Sequence, residues 1–215
     1  MATLKHFPDK PYEHGPEAIE KWDTGDYICQ QKGDGWRMEI LKGKGEIAYV
    51  SRHNKDFTAE MDSHLKEQME IISTVLPDRT QLDAEWLSRR AATNNKTTPK
   101  LIIFDVVRYD KKWMLNIPYE ARWALLKEIF SQVDPASIPD IELVPTAEDG
   151  KFVEFYEAQK QLDRSEGVVV KHKQSTLVGD RKESKKNPRW FKVKFRQGSD
   201  GEMSMEHLRG HKGRW

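Results

Sequence analysis

The chain has 215 residues, enough for one large domain or two small ones, and its 33% charged against 37% hydrophobic residues mark a protein with a wet surface. No apolar run approaches the roughly 18–20 residues of a membrane span, and the opening MATLKHFPDKPYEHG lacks the apolar heart of a secretory signal. A single cysteine, Cys29, excludes an internal disulfide and a cysteine-built zinc site, so a reducing, cytoplasmic setting is expected. The net charge of +1 hides an asymmetry: residues 171–215 carry thirteen Lys and Arg against five Asp and Glu, leaving the first 170 residues acidic by about seven charges. Such a distribution suits either a polyanion met by the C-terminal part or a solvated basic tail.

In chain order, Pro16 to Trp22 reads as a short helix. Residues 26–32 and 36–41 alternate like strands, and Gly33-Asp34-Gly35 between them predicts a hairpin turn. LKGKGEIAYVSR predicts a second hairpin with GKG at its tip and residues 46–51 returning. Gly43 and Gly45 make no phosphate loop, because no helix opening on Lys-Ser/Thr follows them. Thr58 is the expected N-cap of a helix running to about Leu76, with Met61, Leu65, Met69, Ile72 and Leu76 as its core stripe. QLDAEWL (81–87) reads as a strand, residues 89–100 as a polar loop, and LIIFDVVRY (101–109) as a strand buried on both faces. Asn116 and Pro118 open a helix with Trp123, Leu126, Ile129, Phe130 and Val133 on one side. IELVPT, a helix near residues 151–162, then the strands GVVVKH and WFKVKF follow, the last two separated by a polar, lysine-rich connection over 174–188. Without repeats or a clean linker, one α+β domain is the simplest organisation.

The chemistry-bearing residues are spread along this pattern. Lys32 to Arg37 spell K-x-D-G-x-R, a string that is weak alone, since K-x-D-G occurs by chance in roughly a few per cent of chains this long. Ser51-Arg52 follows the second hairpin. Asp83 and Glu85 share one face of their strand, because alternate strand residues point the same way. Phe104-Asp105 lies in the most apolar strand, Glu166-Gly167-Val168-Val169-Val170-Lys171 comes next, and Trp190-Phe191-Lys192-Val193-Lys194 closes the series with both lysines on one face.

Taken in this order, from about Asp26 to Phe195, the six motifs resemble the covalent nucleotidyltransferase superfamily of DNA ligases, RNA ligases and mRNA capping enzymes. The resemblance implies two antiparallel sheets flanked by helices, with the nucleotide pocket between them. Arg37 at the end of the first motif, E-G-x-V-x-K at 166–171 and the aromatic-Phe-Lys-Val-Lys ending look most like the adenylyltransferase core of ATP-dependent DNA ligases. NAD-dependent ligases share E-G-V-V-V-K but carry an extra N-terminal domain, which residues 1–25 are too few to form, so ATP is expected.

The resemblance also implies roles. Lys32 is the nucleophile that attacks the α-phosphorus of ATP and becomes lysyl-AMP. A free lysine, with a pKa of about 10.4, is almost wholly protonated at neutral pH, so the site is expected to surround it with cations: Lys192, Lys194, Arg37 and a bound Mg²⁺ or Mn²⁺. The same charges stabilise the transferring phosphoryl group. Glu85 and Glu166 match acids that hold the metal or contact the ribose. Phe104 matches the aromatic that stacks on adenine, with plain core packing as the alternative. Gln30 and Gln31 precede the nucleophile as nucleotide-binding residues, Gln30 where the family reads the adenine amino group. Arg37 and Arg52 are expected to touch nucleotide and nucleic acid, Arg52 at the sugar or the 5′-phosphate of the nick, unless it forms only a surface salt bridge. Trp36 and Trp190 are expected in the pocket wall and Cys29 in packing. His207 and His211 are not expected to bind metal, because Gly210 weakens any helix between them.

The expected activity is therefore sealing of 5′-phosphate/3′-hydroxyl nicks in duplex DNA, as in repair and replication, by a monomer with no membrane partner. An RNA ligase on RNA-containing duplex, a capping guanylyltransferase and a non-catalytic nucleic-acid-binding remnant are the alternatives. Two departures stand out. Gly33 replaces a bulkier, often aromatic residue, so one pocket wall is open or differently filled. Only 21 residues follow Lys194, too few for the oligonucleotide-binding barrel that DNA ligases and capping enzymes carry next. The expected division is an N-terminal extension (1–25), the adenylyltransferase domain (26–196) and a short basic tail (197–215). That leaves two possibilities, the core of a longer protein or a minimal enzyme whose tail grips phosphates.

Overall fold

The computed structural model describes residues 6–87, 98–180 and 182–195. Its strands are β1 (Lys10–Glu13), β2 (Tyr27–Gly33), β3 (Trp36–Lys42), β4 (Ile47–Ser51), β5 (Thr80–Leu87), β6 (Lys100–Tyr109), β7 (Lys112–Trp113), β8 (Ile141–Leu143), β9 (Ser165–His172) and β10 (Lys186–Lys194). The helices are α1 (Ile19–Trp22), α2 (Ser63–Ser73), α3 (Tyr119–Ser131) and α4 (Phe152–Gln159). The strands form two sheets. One has the order β1-β10-β9-β2, and the other has β4-β3-β5-β6-β7 with β8 also paired to β6. The α+β architecture with two sheets and flanking helices is the expected one, except that each sheet, expected to be antiparallel, includes one parallel pair, β1 with β10 and β6 with β8.

Period-two alternation decides which residues each sheet turns outward. In the four-stranded sheet, Cys29, Val168, Val170 and Val193 pack with Ile19 of α1 and with Phe152 and Tyr156 of α4. The opposite face is set by register into three rows: Ile28–Lys171–Trp190, Gln30–Val169–Lys192 and Lys32–Gly167–Lys194. In the six-stranded sheet, Met38, Ile40, Leu82 and Ala84 join Leu65, Met69 and Ile72 of α2 in the main core, which also takes Trp123, Leu126 and Ile129 of α3. Its other face carries Arg37 and Glu39 of β3, paired to Glu85 and Asp83 of β5. The two polar faces meet, and the cleft between them holds the motif residues.

Several expectations change. Gly33-Asp34-Gly35 is no hairpin turn: β2 pairs with β9 and β3 with β4 and β5, so the segment crosses from one sheet to the other. Neither Asp34 nor Gly35 has the positive φ that a two-residue hairpin turn requires. Glycine is needed at 35 for a different reason: a Cβ there would lie 2.5 Å from the Trp86 carbonyl oxygen and 2.8 Å from Leu87 Cδ2. Thr58 caps no helix. Its hydroxyl accepts from Tyr49 N–H at 3.1 Å and its own N–H donates to Asp56 Oδ1 at 2.9 Å, closing a turn that ends before α2 begins at Ser63. The helices α2 and α4 are also shorter than expected, although Met61, Leu65, Met69, Ile72 and Leu76 are all buried as anticipated. The β3–β4 hairpin forms as read, Lys42 opposite Ile47.

Residues 10–13, assigned from sequence to an N-terminal extension, add β1 to the four-stranded sheet, parallel to β10. Most of the loop expected over 89–100, and the tail from 197 with His207 and His211, lie outside the described residues. No helix among the described residues is long and apolar enough to cross a membrane.

Candidate active site

Lys32 sits one residue before the end of β2, where the pairing with β9 shifts register between Lys32 and Gly33. Its Nζ forms an ion pair with Glu166 Oε1, from the start of β9. Gly167 separates Lys32 from Lys194 in the same row and has φ +151°; a Cβ there would run into the backbone of Val193 and lie 2.9 Å from Lys194 Cα. Glycine thus lets the strands close up beneath the lysines. Lys192 Nζ lies 2.7 Å from Glu13 Oε2. The hydrogen bond from Lys192 holds the Glu13 carboxyl below the usual range against its partial burial, and the charges of Lys192, Lys194 and Lys32 add to the effect.

Across the cleft, burial pushes the Glu85 carboxyl up to about 7; Glu166 and Asp83 reinforce this, while Lys32 and Arg37 oppose it. Arg37 is committed to a two-pronged pair with Asp83, its Nε 2.9 Å from Oδ1 and its Nη2 on Oδ2, and its Nη1 donates to the Asp9 carbonyl. Behind this pair, burial and the neighbouring Asp83 push the Glu39 carboxyl above its ordinary value, and it accepts from Gln81 Nε2 at 2.9 Å.

The inner end of the cleft is aromatic. Where the β5–β6 ladder steps from Asp83–Asp105 to Ala84–Ile103, Phe104 is the residue left without an opposite partner. A bulge re-aims a side chain in this way, and the half-buried ring meets the Arg37 guanidinium at 5.4 Å and Lys171 Nζ at 4.9 Å. Phe104 thus packs against the main core while its ring also meets these two cations. Lys171 Nζ also lies 4.2 Å from the Tyr119 ring centroid and 4.4 Å from that of Trp190, and it is buried with no hydrogen-bond partner. Burial lowers its pKa to about 8 despite Asp105 and Asp83 nearby. Gln30 is buried beside it, its side-chain amide 2.7 Å from the Tyr119 hydroxyl.

The structure thus gathers Lys32, Gln30, Arg37, Glu85, Phe104, Glu166, Lys192 and Lys194 along one cleft. Gln31 does not join them: it alternates to the opposite face, in register with the core residue Val168. Arg52 lies just past β4, one step beyond the Met38–Ser51 pair, with its Nε 3.1 Å from His53 Nε2. The expected ring of cations around Lys32 is also corrected. Carboxylates stand nearest, and both Arg37 and Lys192 are paired to acids. The wall at Gly33 is filled rather than open, because a Cβ there would meet Leu87 Cδ2 at 3.1 Å and Glu85 Cγ at 3.2 Å. Trp190 is buried wall, its indole N–H donating to Ser175 Oγ at 2.7 Å. Sequence reasoning missed Glu13 and Tyr119, and it named Lys171 as the end of the E-G-x-V-x-K motif without giving it a role. Glu13 was out of reach, since its pairing with Lys192 joins residues from opposite ends of the chain.

A model of the ATP dependent DNA ligase domain matches residues 10–194, beginning at β1 and ending at Lys194. The chain belongs to that family. The ligase domain is 30% identical over 201 residues to the DNA ligase of Methanothrix thermoacetophila, an alignment that covers 83% of this chain and 34% of that protein. Mycobacterial DNA ligase D, solved as a complex with ATP and MES, superposes with a TM-score of 0.67 at 17% identity, over 88% of this chain and 60% of that one. An archaeal ATP-dependent RNA ligase superposes with a TM-score of 0.56 at 13% identity, over 87% of this chain and 48% of that one. Both share the fold, so the fold alone does not separate DNA from RNA substrates. The chain spans about a third of the length of its curated relative.

The residues also bear on the metal. Among the described residues no three His, Cys, Asp or Glu side chains gather as a metal cage. Glu85 and Glu166 stand close enough for one to raise the other's pKa. Two carboxylates without a third fit Mg²⁺, which keeps several waters and takes its remaining ligands from substrate phosphates.

Proposed function

We propose that this chain is the nucleotidyltransferase core of an ATP-dependent polynucleotide ligase acting on nicked duplex DNA. The observation that carries the reading is the Lys32–Gly167–Lys194 row with Glu166 on Lys32. It supplies an amine at a rigid strand end, a glycine that leaves room beside it and a cation two strands away. In the first step Lys32 Nζ attacks the α-phosphorus of ATP, a P–N bond forms, and the bond to the bridging oxygen breaks to release pyrophosphate. An ammonium held by Glu166 has no lone pair to give, so the Lys32–Glu166 pair parts and Nζ passes its proton to solvent before attack. Lys192 exchanges Glu13 for phosphate oxygens, and with Lys194 it stabilises charge on the transferring group. Phe104 stacks on the base, while Gln30 and Lys171 contact its edge. Glu85 and Glu166 would hold a Mg²⁺, which when bound neutralises phosphate charge and steadies the leaving pyrophosphate. The AMP then passes to the 5′-phosphate of a nick, and a 3′-hydroxyl attacks that phosphorus and expels AMP.

Intact mass after incubation with ATP and Mg²⁺ tests this reading. The expected result is a gain of one AMP by the wild type and none by Lys32→Ala, with the adduct lost in acid and stable in base. Sealing of a pre-adenylylated nick is the companion assay, run on all-DNA and RNA-containing duplexes. Silence in both assays overturns the ligase reading, and sealing confined to RNA-containing duplexes replaces DNA ligase with RNA ligase.

A further inference from the structure

Tyr119 belongs to none of the sequence motifs, yet it is completely buried at the first residue of α3. Its hydroxyl oxygen lies 2.7 Å from the Gln30 side-chain amide and 2.9 Å from the Phe104 carbonyl oxygen. A phenol has one hydrogen to give, and burial keeps that hydrogen in place by raising the Tyr119 pKa well above 10. With Gln30 Oε1 and the Phe104 carbonyl both turned toward the hydroxyl, one hydrogen must serve two acceptors. Gln30 Nε2 is then left buried without a partner.

The two ends of a side-chain amide have the same shape, so hydrogen-bond counting decides which end faces where. The Phe104 carbonyl can only accept, and it takes the phenol hydrogen. The Tyr119 oxygen is then an acceptor, and the neighbour that can donate to it is the Gln30 amide nitrogen. Turned this way, the phenol, the Phe104 carbonyl and the amide nitrogen are all paired, and Gln30 Oε1 becomes the one buried polar atom of the group still open to a ligand.

We propose that Tyr119 is the positioning residue for nucleobase selectivity: by accepting from the Gln30 amide nitrogen, it fixes a carbonyl oxygen toward the base. The cleft then takes a purine with an amino group at C6 and rejects one with a carbonyl there. This rests on the reading of the cleft as an ATP site. Opposite a C6 carbonyl, the Gln30 oxygen faces another acceptor, and both stay unpaired where water is excluded. Without the Tyr119 hydroxyl the amide is free to turn and offer its NH₂ to such a carbonyl.

The experiment measures binding of the non-reacting α,β-methylene analogues of ATP and GTP by calorimetry. The proteins are the wild type, Tyr119→Phe, Gln30→Glu and the double variant. The wild type is expected to prefer the ATP analogue, and Tyr119→Phe to lose roughly tenfold of that preference, the factor carried by one hydrogen bond. A carboxylate accepts at both ends, so in the Gln30→Glu background Tyr119→Phe is expected to leave the preference unchanged. Because the readout is a ratio of two affinities on one protein, partial unfolding of a variant cancels. An unaltered preference in Tyr119→Phe overturns the role of Tyr119 and leaves the ATP site standing. A wild type that binds neither analogue overturns the ATP site itself, and the selectivity device with it.

Discussion

Lys171 carries an amine where water does not reach, 3% exposed and surrounded by three aromatic rings. Cation–π attraction offsets part of the lost hydration, but burial wins and the pKa falls from 10.5 to about 8. The sign of the linkage follows. Between pH 8 and 10.5 the unfolded chain keeps this proton and the folded chain has lost it, so stability rises with pH across that window. Relative to Lys171→Met, the wild type should gain on the order of 3 kcal/mol over the window, read from urea melts at pH 8 and 10.5. A difference that stays flat would mean that the amine is hydrated. At this scale the sequence named most of the residues that the cleft gathers, because Lys32, Glu85, Glu166, Lys192 and Lys194 sit in the motifs that carry the family resemblance. It could not show that Arg37 spends its charge on Asp83, or that Glu85 stands in surroundings dry enough to hold its proton near neutrality.

Among the elements, α3 is tied to β6 by one buried pair. Arg122 Nε lies 2.8 Å from Asp105 Oδ1 and Nη2 lies 2.9 Å from Oδ2, with both side chains fully buried. Burial alone would raise the Asp105 carboxyl, yet Arg122, with Lys171 nearby, holds it below its ordinary value. Arg122→Ala strands a buried carboxylate and should cost about 3–5 kcal/mol, measured as a lowered midpoint in urea. Replacing both partners by apolar residues of similar volume should recover much of that loss, and failure to recover it would place the cost in packing instead. Element types were legible wherever alternation or helical spacing was strong, as in β6 and α2. Turns were less so. Asp34-Gly35 looks like a hairpin by composition, whereas the two-residue turn with positive φ at both positions is Asp110-Lys111, at 43° and 67°, between β6 and β7. Local preference does not say which strand a chain will pair with next.

For the molecule as a whole, two polar sheet faces close on each other, and the N-terminal segment seals one end. Asp9 is fully buried and accepts from Val178 N–H, Gly179 N–H and Asn187 Nδ2, so residues far apart in sequence are fastened to the sheet edge. The excess of positive charge after residue 170 belongs to this scale too. If the tail grips phosphates, deleting residues 205–215 should weaken DNA binding. It should also flatten the dependence of log K on log salt by roughly 0.9 for each phosphate that the tail neutralised. Unchanged affinity and slope would mark the tail as solvated surface.

By itself the sequence carried the motifs through which the chain resembles its family, and with them the candidate nucleophile, acids and lysines that the resemblance implies. The α+β class and the strands follow from residue type and short-range periodicity, which are properties of the chain alone. Tertiary structure decided the rest: that Lys32 and Arg37, five residues apart, stand on different sheets, that Gln31 turns away while Glu13 turns in, and that Tyr119 touches Gln30. The first depends on which strands pair, the third on how α3 packs against β6, and the second on register between strands distant in sequence, where a shift of one residue turns every side chain to the other face.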